Sequence, residues 1–386
     1  MDRELILSMA NNNDTPFYLY DMRVINEKAG LVKSAFLEFN LLYSIKANPN
    51  ATIIKNFVNL ELGFDAASVN EVQLAKNNGA SIDNIYYSSP GKSMRDLKMA
   101  LDCCQIIVDS IGEIDRLNSL ASAMGRTIQI GVRLNIENNK MQQSTHEVMG
   151  GVSSKFGISL EEFLALRISD FIHIDIIGIH VYFGSQILDI GLISGNFHII
   201  AETALILKEK YNIKYVNFGG GFGVPYEKKE SCIEIEKLSH HIHKDSIIQK
   251  LISTSITLNI ELGRFLVAEC GYFVSKILDI KTSYGKKFAI IDGGMNSFFR
   301  PMMTGDFHDV VQFQKKGSPE TVTLAGKLCT PMDKYYDDLS LYSLSVGDII
   351  AFKNAGAYGF TMSLLEFSSF GKPKEIVFGE SKNEFT

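Results

Sequence analysis

Lys46 is the residue on which chemistry in this chain would turn. It closes the apolar run Leu41-Leu42-Tyr43-Ser44-Ile45, and Ala47-Asn48-Pro49 then breaks the strand which that run implies. An amine at a strand mouth is only partly solvated, which lowers its pKa and makes it a better nucleophile towards an aldehyde. Taken alone, such a lysine is more often a surface charge that ends a strand. Other stretches carry groups of matching kinds. Gly219-Gly220-Gly221-Phe222-Gly223 follows the apolar run Tyr215 to Phe218. Consecutive glycines let backbone N–H groups turn towards one phosphate with no Cβ in the way, although a tight turn explains them equally well. Glu261-Leu262-Gly263-Arg264 offers a carboxylate and a guanidinium, either a structural ion pair or an arginine for the same phosphate. Cys329 lies in the loop-like stretch Gly326 to Asp333, where a lone cysteine is more often a small hydrophobe than a catalyst. Tyr358 is presented by the small-residue turn Asn354 to Gly359. His240-His241-Ile242-His243 might suggest a metal, but neighbouring histidines on a helix point apart and no Cys or paired-carboxylate spacing accompanies them. They read as a solvated helix face, and no metal is expected.

These groups need elements to position them. Residues 22–39 carry apolar positions at helical spacing. Eight short apolar stretches then read as strands: 41–45, 61–65, 84–88, 105–108, 127–134, 174–182, 214–218 and 256–261. Helical patterns lie between them at about 49–59, 69–79, 92–102, 111–124, 160–169, 194–210 and 233–253. Eight such repeats predict a parallel sheet closed into a (β/α)₈ barrel of the TIM type, with a doubly wound open sheet as the alternative. In such a barrel, functional groups sit at the C-terminal strand ends. Those ends supply Lys46, Asp65, Asp109, Arg133, His180 with Tyr182, Gly219, Gly220 and Gly221, and Glu261. Residues 141–153, polar and glycine-containing, are long enough for a mobile lid. After Arg264 the pattern changes to strands near 272–281, 287–291, 320–325, 348–353 and 375–378. A barrel domain over 22–264 is therefore expected, with 1–21 and 265–386 forming a β-rich, barrel-like second domain.

Composition narrows the class. The 386 residues are 46% hydrophobic and 21% charged, a globular balance with a large core. A net charge of −6 gives no reason to expect nucleic acid or an anionic membrane as partner. The N-terminus does not read as a signal peptide, and no run approaches the ~20 apolar residues of a membrane helix. The five cysteines show no C-x-x-C spacing and read as reduced thiols of a cytoplasmic protein.

Taken together and in order, these stretches resemble the fold-type III pyridoxal-phosphate decarboxylases, the family of ornithine, diaminopimelate and arginine decarboxylases. The matching pieces are Tyr43 to Asn48, Gly63 to Ser68 with Glu71, Ser154 to Gly157, Gly184-Ser185-Gln186 and Gly219 to Gly223. They continue with Glu261 to Arg264, Asp292 to Asn296, Arg300-Pro301, Cys329 with Asp333, and Gly356 to Tyr358. The resemblance implies a carboxy-lyase with pyridoxal 5'-phosphate as cofactor, and a head-to-tail homodimer with shared active sites. It implies that Lys46 holds the cofactor covalently. Gly219, Gly220, Gly221, Ser185, Arg264 and Tyr358 would cradle its phosphate, and Asp65 and Arg133 would orient the lysine and the ring. Glu261 would face the ring nitrogen, and Cys329 would reach the partner chain's site. Arg300, Thr330 and Tyr358 would meet the substrate. A carboxylate at the ring nitrogen favours carbanion chemistry, which suits a decarboxylase over the related racemases.

Two departures bear on the substrate. Where the family shows His-x-Gly-Ser, with the histidine stacked on the cofactor, this chain has Tyr182-Phe183-Gly184-Ser185 and places His180 two residues earlier. A tyrosine can stack but cannot carry the histidine's charge. Where ornithine and diaminopimelate enzymes put an acid after the cysteine, this chain has Thr330, and Thr304 replaces the tyrosine of Arg-Pro-x-x-Tyr. Both features look more like the branch acting on aminoacyl groups tethered to an acyl carrier protein, such as the glutamyl-carrier decarboxylase of butirosin biosynthesis. Diaminopimelate decarboxylase proper is the alternative. A non-catalytic relative that binds partner proteins is a further one, and the retained Lys46, Glu261, Arg264 and Cys329 speak against it.

Overall fold

The computed structural model describes residues 3–138, 140–141 and 147–379, so residues 142–146 of the expected lid lie outside the described residues. The chain divides into two compact units. One comprises Ala29–Val224 and Ser231–Gly263, and the other Met1–Lys28, Pro225–Glu230 and Arg264–Thr386.

The first unit is the barrel. Its strands are Phe39–Ser44, Gly63–Ala66, Ile85–Ser88, Gln105–Val108, Ile128–Asn135, Ile174–His180, Tyr215–Asn217 and Thr257–Leu262. Each pairs in parallel with the next in sequence, and the last pairs with the first, so the sheet closes. The strands read as continuous apolar runs because a parallel sheet of this kind is buried on both faces. The floor of the barrel is filled by Leu42, Tyr86, Ile107, Ile177 and Tyr215. Tyr215 fits only because two neighbouring positions are glycine: a Cβ at either Gly131 or Gly178 would stand 2.1 Å from the tyrosine side chain.

The helices begin where the sequence offers caps. Ser68, Ser93, Ser110 and Ser159 each accept the backbone N–H three residues on, a contact worth about 1 kcal/mol. The helix expected over 233–253 is two, Ile235–Lys244 and Ser246–Ile252. Asp245 divides them: its carboxylate accepts from the N–H groups of Ile247 and Ile248 and lies 2.7 Å from His198. Within the histidine run, His243 is tied down, with Nε2 2.9 Å from Glu38. Ile190–Leu207 is longer and more apolar than the sequence reading allowed, and by length and composition could cross a membrane. Here it is a helix of the barrel unit that packs Ile193, Phe197, Ile200 and Leu207 inward.

The second unit is β-rich. Its strands run in the order Val310–Gln312, Ile349–Phe352, Gly271–Ser283, Lys286–Ile291, Lys316–Ala325 and Lys334–Ser343. Phe17–Asp21 lies between Gly271–Ser283, to which it is antiparallel, and Lys374–Phe378, to which it is parallel. Side-chain hydrogen bonds join the two ends of the sheet. The Gln312 amide donates to the Tyr342 carbonyl and accepts the Tyr342 N–H, both at 2.8 Å. The strands Val310–Gln312 and Lys334–Ser343 and the helix Arg3–Asn12 are additions to the sequence reading.

His308 sits in this unit fully buried. Its Nδ1 donates to the Lys353 carbonyl at 2.8 Å, and its ring packs against Phe298 and Tyr226, both at 4.9 Å. Burial pulls its pKa down to about 4, with the Arg300 charge adding to the effect. The unfolded chain therefore binds a proton near pH 6.5 that the folded chain refuses until about pH 4. Stability from this residue is complete above that window and declines through it as pH falls, by up to about 3 kcal/mol. Urea unfolding at pH 7 and pH 4.5 should show a smaller acid loss for His308→Gln than for the unmodified protein. Equal losses would mean that His308 is protonated in the native state.

Candidate active site

In the barrel unit, strand ends bring most of the expected residues to one mouth. Lys46 lies just past its strand, in the 3₁₀ turn Ile45–Ala47, with Nζ 2.9 Å from Asp65 Oδ2. Its side chain is 40% exposed, wetter than the sequence implied, while the Asp65 side chain is 2% exposed. Glu71 supports the Asp65 strand end by accepting the Ala67 N–H at 2.6 Å, and burial raises its pKa. Arg133 lies 3.6 Å from Asp109, with its guanidinium 4.6 Å from the Phe156 ring and 5.9 Å from the Tyr182 ring.

Glu261 is almost fully buried and meets two groups through the same oxygen. Asn217 donates to Oε1 at 2.8 Å, and His180 Nε2 lies 3.3 Å from it. Burial alone would raise its pKa, but His180, the Lys46 charge and the Asn217 amide together hold the carboxyl below its ordinary range. Both contacts fall on Oε1, which leaves Oε2 as the oxygen for a donor on a bound molecule.

The glycine loop is a close-packed cradle. Gly219 and Gly221 have φ of +62° and +83°, and a Cβ at Gly220 would stand 1.6 Å from the Glu261 carbonyl. Asn217 fixes the loop by accepting the Gly219 N–H at 2.9 Å. Ser185 is buried in the short strand Gly184–Ser185, which pairs with Glu147–Val148 inside the lid stretch 141–153.

The remaining residues belong to the β-rich unit. The guanidinium groups of Arg264 and Arg300 lie 5.1 and 5.5 Å from the Tyr358 ring and 5.8 and 5.3 Å from the Tyr226 ring. Arg300 also pairs with Asp306 at 2.5 Å. Tyr358 has φ of +60°, a conformation few tyrosines adopt. Cys329 and Thr330 are on a different loop. There Asp333 accepts the N–H groups of Met295 and Leu328, both at 2.7 Å, and leaves Cys329 exposed at the tip.

Sequence reasoning missed three supports. Asn217 links Glu261 to the glycine loop. Ser88 lies 3.4 Å from His180 Nδ1. The fully buried pair Lys92–Glu113, 2.9 Å apart, holds Asp109 through its backbone N–H. A signal for Glu113 was present, since Ser110-x-x-Glu113 has the form of a helix-start box. No such pattern marks Ser88 or Asn217. Among the described residues no cluster of metal-ligating side chains occurs.

The donor set fits pyridoxal phosphate: an amine for its aldehyde, a carboxylate held ionised for its ring nitrogen, and a glycine turn closed to any side chain for its phosphate. The comparisons agree. Residues 22–268 match the family model for the pyridoxal-binding domain of pyridoxal-dependent decarboxylases. The chain is 32% identical to a diaminopimelate decarboxylase of Campylobacter jejuni, over 91% of this chain and 87% of that one. It is also 32% identical to the L-glutamyl-[BtrI acyl-carrier protein] decarboxylase of Niallia circulans, over 98% and 92%. The diaminopimelate decarboxylase of M. jannaschii in complex with L-lysine superposes with a TM-score of 0.89 at 28% identity, covering 97% of this chain and 89% of that one. By its fold, its cradle and these likenesses, the chain belongs to the family of pyridoxal-dependent decarboxylases.

Proposed function

We propose that this pyridoxal-phosphate-dependent decarboxylase acts on an amino acid whose far end is neutral or tethered, with a glutamyl group on an acyl carrier protein as the favoured substrate. One observation carries the reading: the loop that bears Cys329 holds no free acid beside it. Thr330 has no charge, and Asp333 is committed to two backbone N–H groups. Thr304 is likewise spent, donating to the Arg300 carbonyl at 3.0 Å. A distal ammonium buried without an opposing carboxylate is costly, so a diamine end is poorly served. The runner-up is a diaminopimelate decarboxylase, favoured by the likeness to the Campylobacter jejuni enzyme.

In this reading Lys46 would hold the cofactor through its aldehyde, and Asp65 orients the Lys46 amine. Arg133 and Tyr182 hold the ring, and Glu261 keeps a proton at its nitrogen. Gly219, Gly220, Gly221, Ser185, Arg264 and Tyr358 bind the phosphate. The bound cofactor supplies an electron sink for the pair left when carbon dioxide departs from Cα. Arg300, Thr330 and Tyr358 place the substrate. Cys329 comes from the partner of a head-to-tail homodimer, and its Sγ holds the proton returned to Cα.

Carbon dioxide release should be measured on free diaminopimelate, ornithine, lysine and glutamate and on glutamyl-loaded carrier protein. The carrier substrate is expected to lead, and Thr330→Glu should shift preference towards the diamines by about 1–3 kcal/mol in relative kcat/KM. Turnover of free diaminopimelate at kcat/KM near ~10⁴ M⁻¹s⁻¹ or above would overturn the substrate assignment.

A further inference from the structure

We propose that His180 is a positioning residue, the second proton donor to Glu261 Oε1, and so sets which oxygen of that carboxylate a bound cofactor meets. The inference rests on the role of Glu261 in the proposed function. Four strands contribute to the arrangement. Ser88 ends one, His180 another, and Asn217 and Glu261 lie on the next two. His180 and Asn217 are paired in register, so neither can shift without moving the sheet.

All four side chains are buried, which confines the protons to a few atoms. The imidazole lies between Ser88 Oγ, 3.4 Å from Nδ1, and Glu261 Oε1, 3.3 Å from Nε2. A hydroxyl satisfies Nδ1 either as donor or as acceptor, so Ser88 tolerates both states of that nitrogen. A carboxylate does not: it accepts only, and a bare Nε2 would set two lone pairs against each other in a dry site. The proton therefore belongs on Nε2. The 3.3 Å contact is long and short of good alignment, as is common in ligand-free sites, where such contacts tighten on occupancy. With Asn217 on the same oxygen at 2.8 Å, the carboxylate cannot rotate freely. Oε2 is then presented to the ligand, and the carboxylate stays an acceptor.

The first test needs no cofactor. Long-range ¹⁵N–¹H spectra of the unmodified apo protein, with His180 assigned through His180→Gln, should show a proton on Nε2. A His180 protonated on Nδ1 alone overturns the proposal. In the holoenzyme, His180→Leu should lower the single-turnover rate about tenfold, as expected for loss of a hydrogen bond to a charged group. His180→Gln places an amide N–H near the Nε2 position and should recover most of that loss. In a Glu261→Gln background, His180→Leu should have less than about a twofold further effect, because the carboxylate charge whose presentation His180 sets is already gone. Independent, multiplying losses would show that His180 acts elsewhere or only supports the fold, and would refute the proposal. Failure of the unmodified protein to bind pyridoxal phosphate would sink the proposed function instead, and the apo spectrum would still decide whether His180 is the donor.

Discussion

Lys46→Ala and Lys46→Arg proteins should both lose decarboxylation, by on the order of 10⁴-fold or to background. The two substitutions separate chemistry from packing. Lys46 Nζ is bound to Asp65, whose side chain is buried, so alanine leaves that carboxylate unpaired and some instability is expected. Arginine retains the charge, but its guanidinium stays protonated and cannot attack an aldehyde. An inactive arginine variant with unchanged unfolding therefore locates the loss in the amine itself. The unmodified protein should be yellow, and borohydride should fix the cofactor to a peptide containing Lys46. A reduced adduct on another lysine, or an active arginine variant, would remove Lys46 from this role. The same alanine variant tests the shared site. Mixed with inactive Cys329→Ala protein under conditions of subunit exchange, it should regain activity, since one of the two sites in a heterodimer recovers both residues. Exchange without activity would place Cys329 in its own chain's site or outside the chemistry.

The barrel was legible because its signal is local and repeated. Strands buried on both faces read as short apolar runs, and apolar positions at helical spacing fill the stretches between them. The mouth was legible for the same reason, since a chemically active residue that follows an apolar run needs no tertiary knowledge to be noticed. Asn217 and Ser88 were not visible, because asparagine or serine at the end of a strand looks like ordinary turn chemistry. What makes them matter is register: Asn217 lies beside His180 and below the glycine loop only once the barrel closes. The strand Lys334–Ser343 escaped for a different reason. It mixes Asp337, Asp338 and serines with Tyr335 and Leu341, and only its buried positions align with a core that composition cannot locate. Asp245 broke one expected helix into two because a carboxylate that caps the next helix outweighs an apolar period that runs through it.

Glu261→Gln tests the electrostatic core of the site with a change of one atom. Glutamine keeps an oxygen for Asn217 and His180, so the buried contacts at 2.8 and 3.3 Å can persist and the strand has no reason to move. What it cannot do is carry negative charge towards a ring nitrogen or hold a proton there. Removing a single preorganised electrostatic contact costs on the order of 10–10³ in rate, and the loss should fall on the chemical step. Cofactor affinity should change much less, because the substitution touches neither the glycine loop nor Lys46. Single-turnover rates and cofactor dissociation constants, measured on the same preparations, separate the two. The pH dependence supplies an independent check. Burial raises the Glu261 pKa, but its neighbours outweigh this and hold it below the ordinary carboxylate value, so the group is ionised throughout neutral and mildly acidic pH. Its contribution is therefore complete above an ordinary glutamate pKa and is lost only as pH falls towards the depressed value. The ratio of unmodified to Glu261→Gln rates should accordingly be the same at pH 6 and pH 8. A ratio that collapses towards one at pH 6 would mean that the carboxylate is already taking up a proton there, and an unchanged single-turnover rate would remove Glu261 from the ring nitrogen altogether.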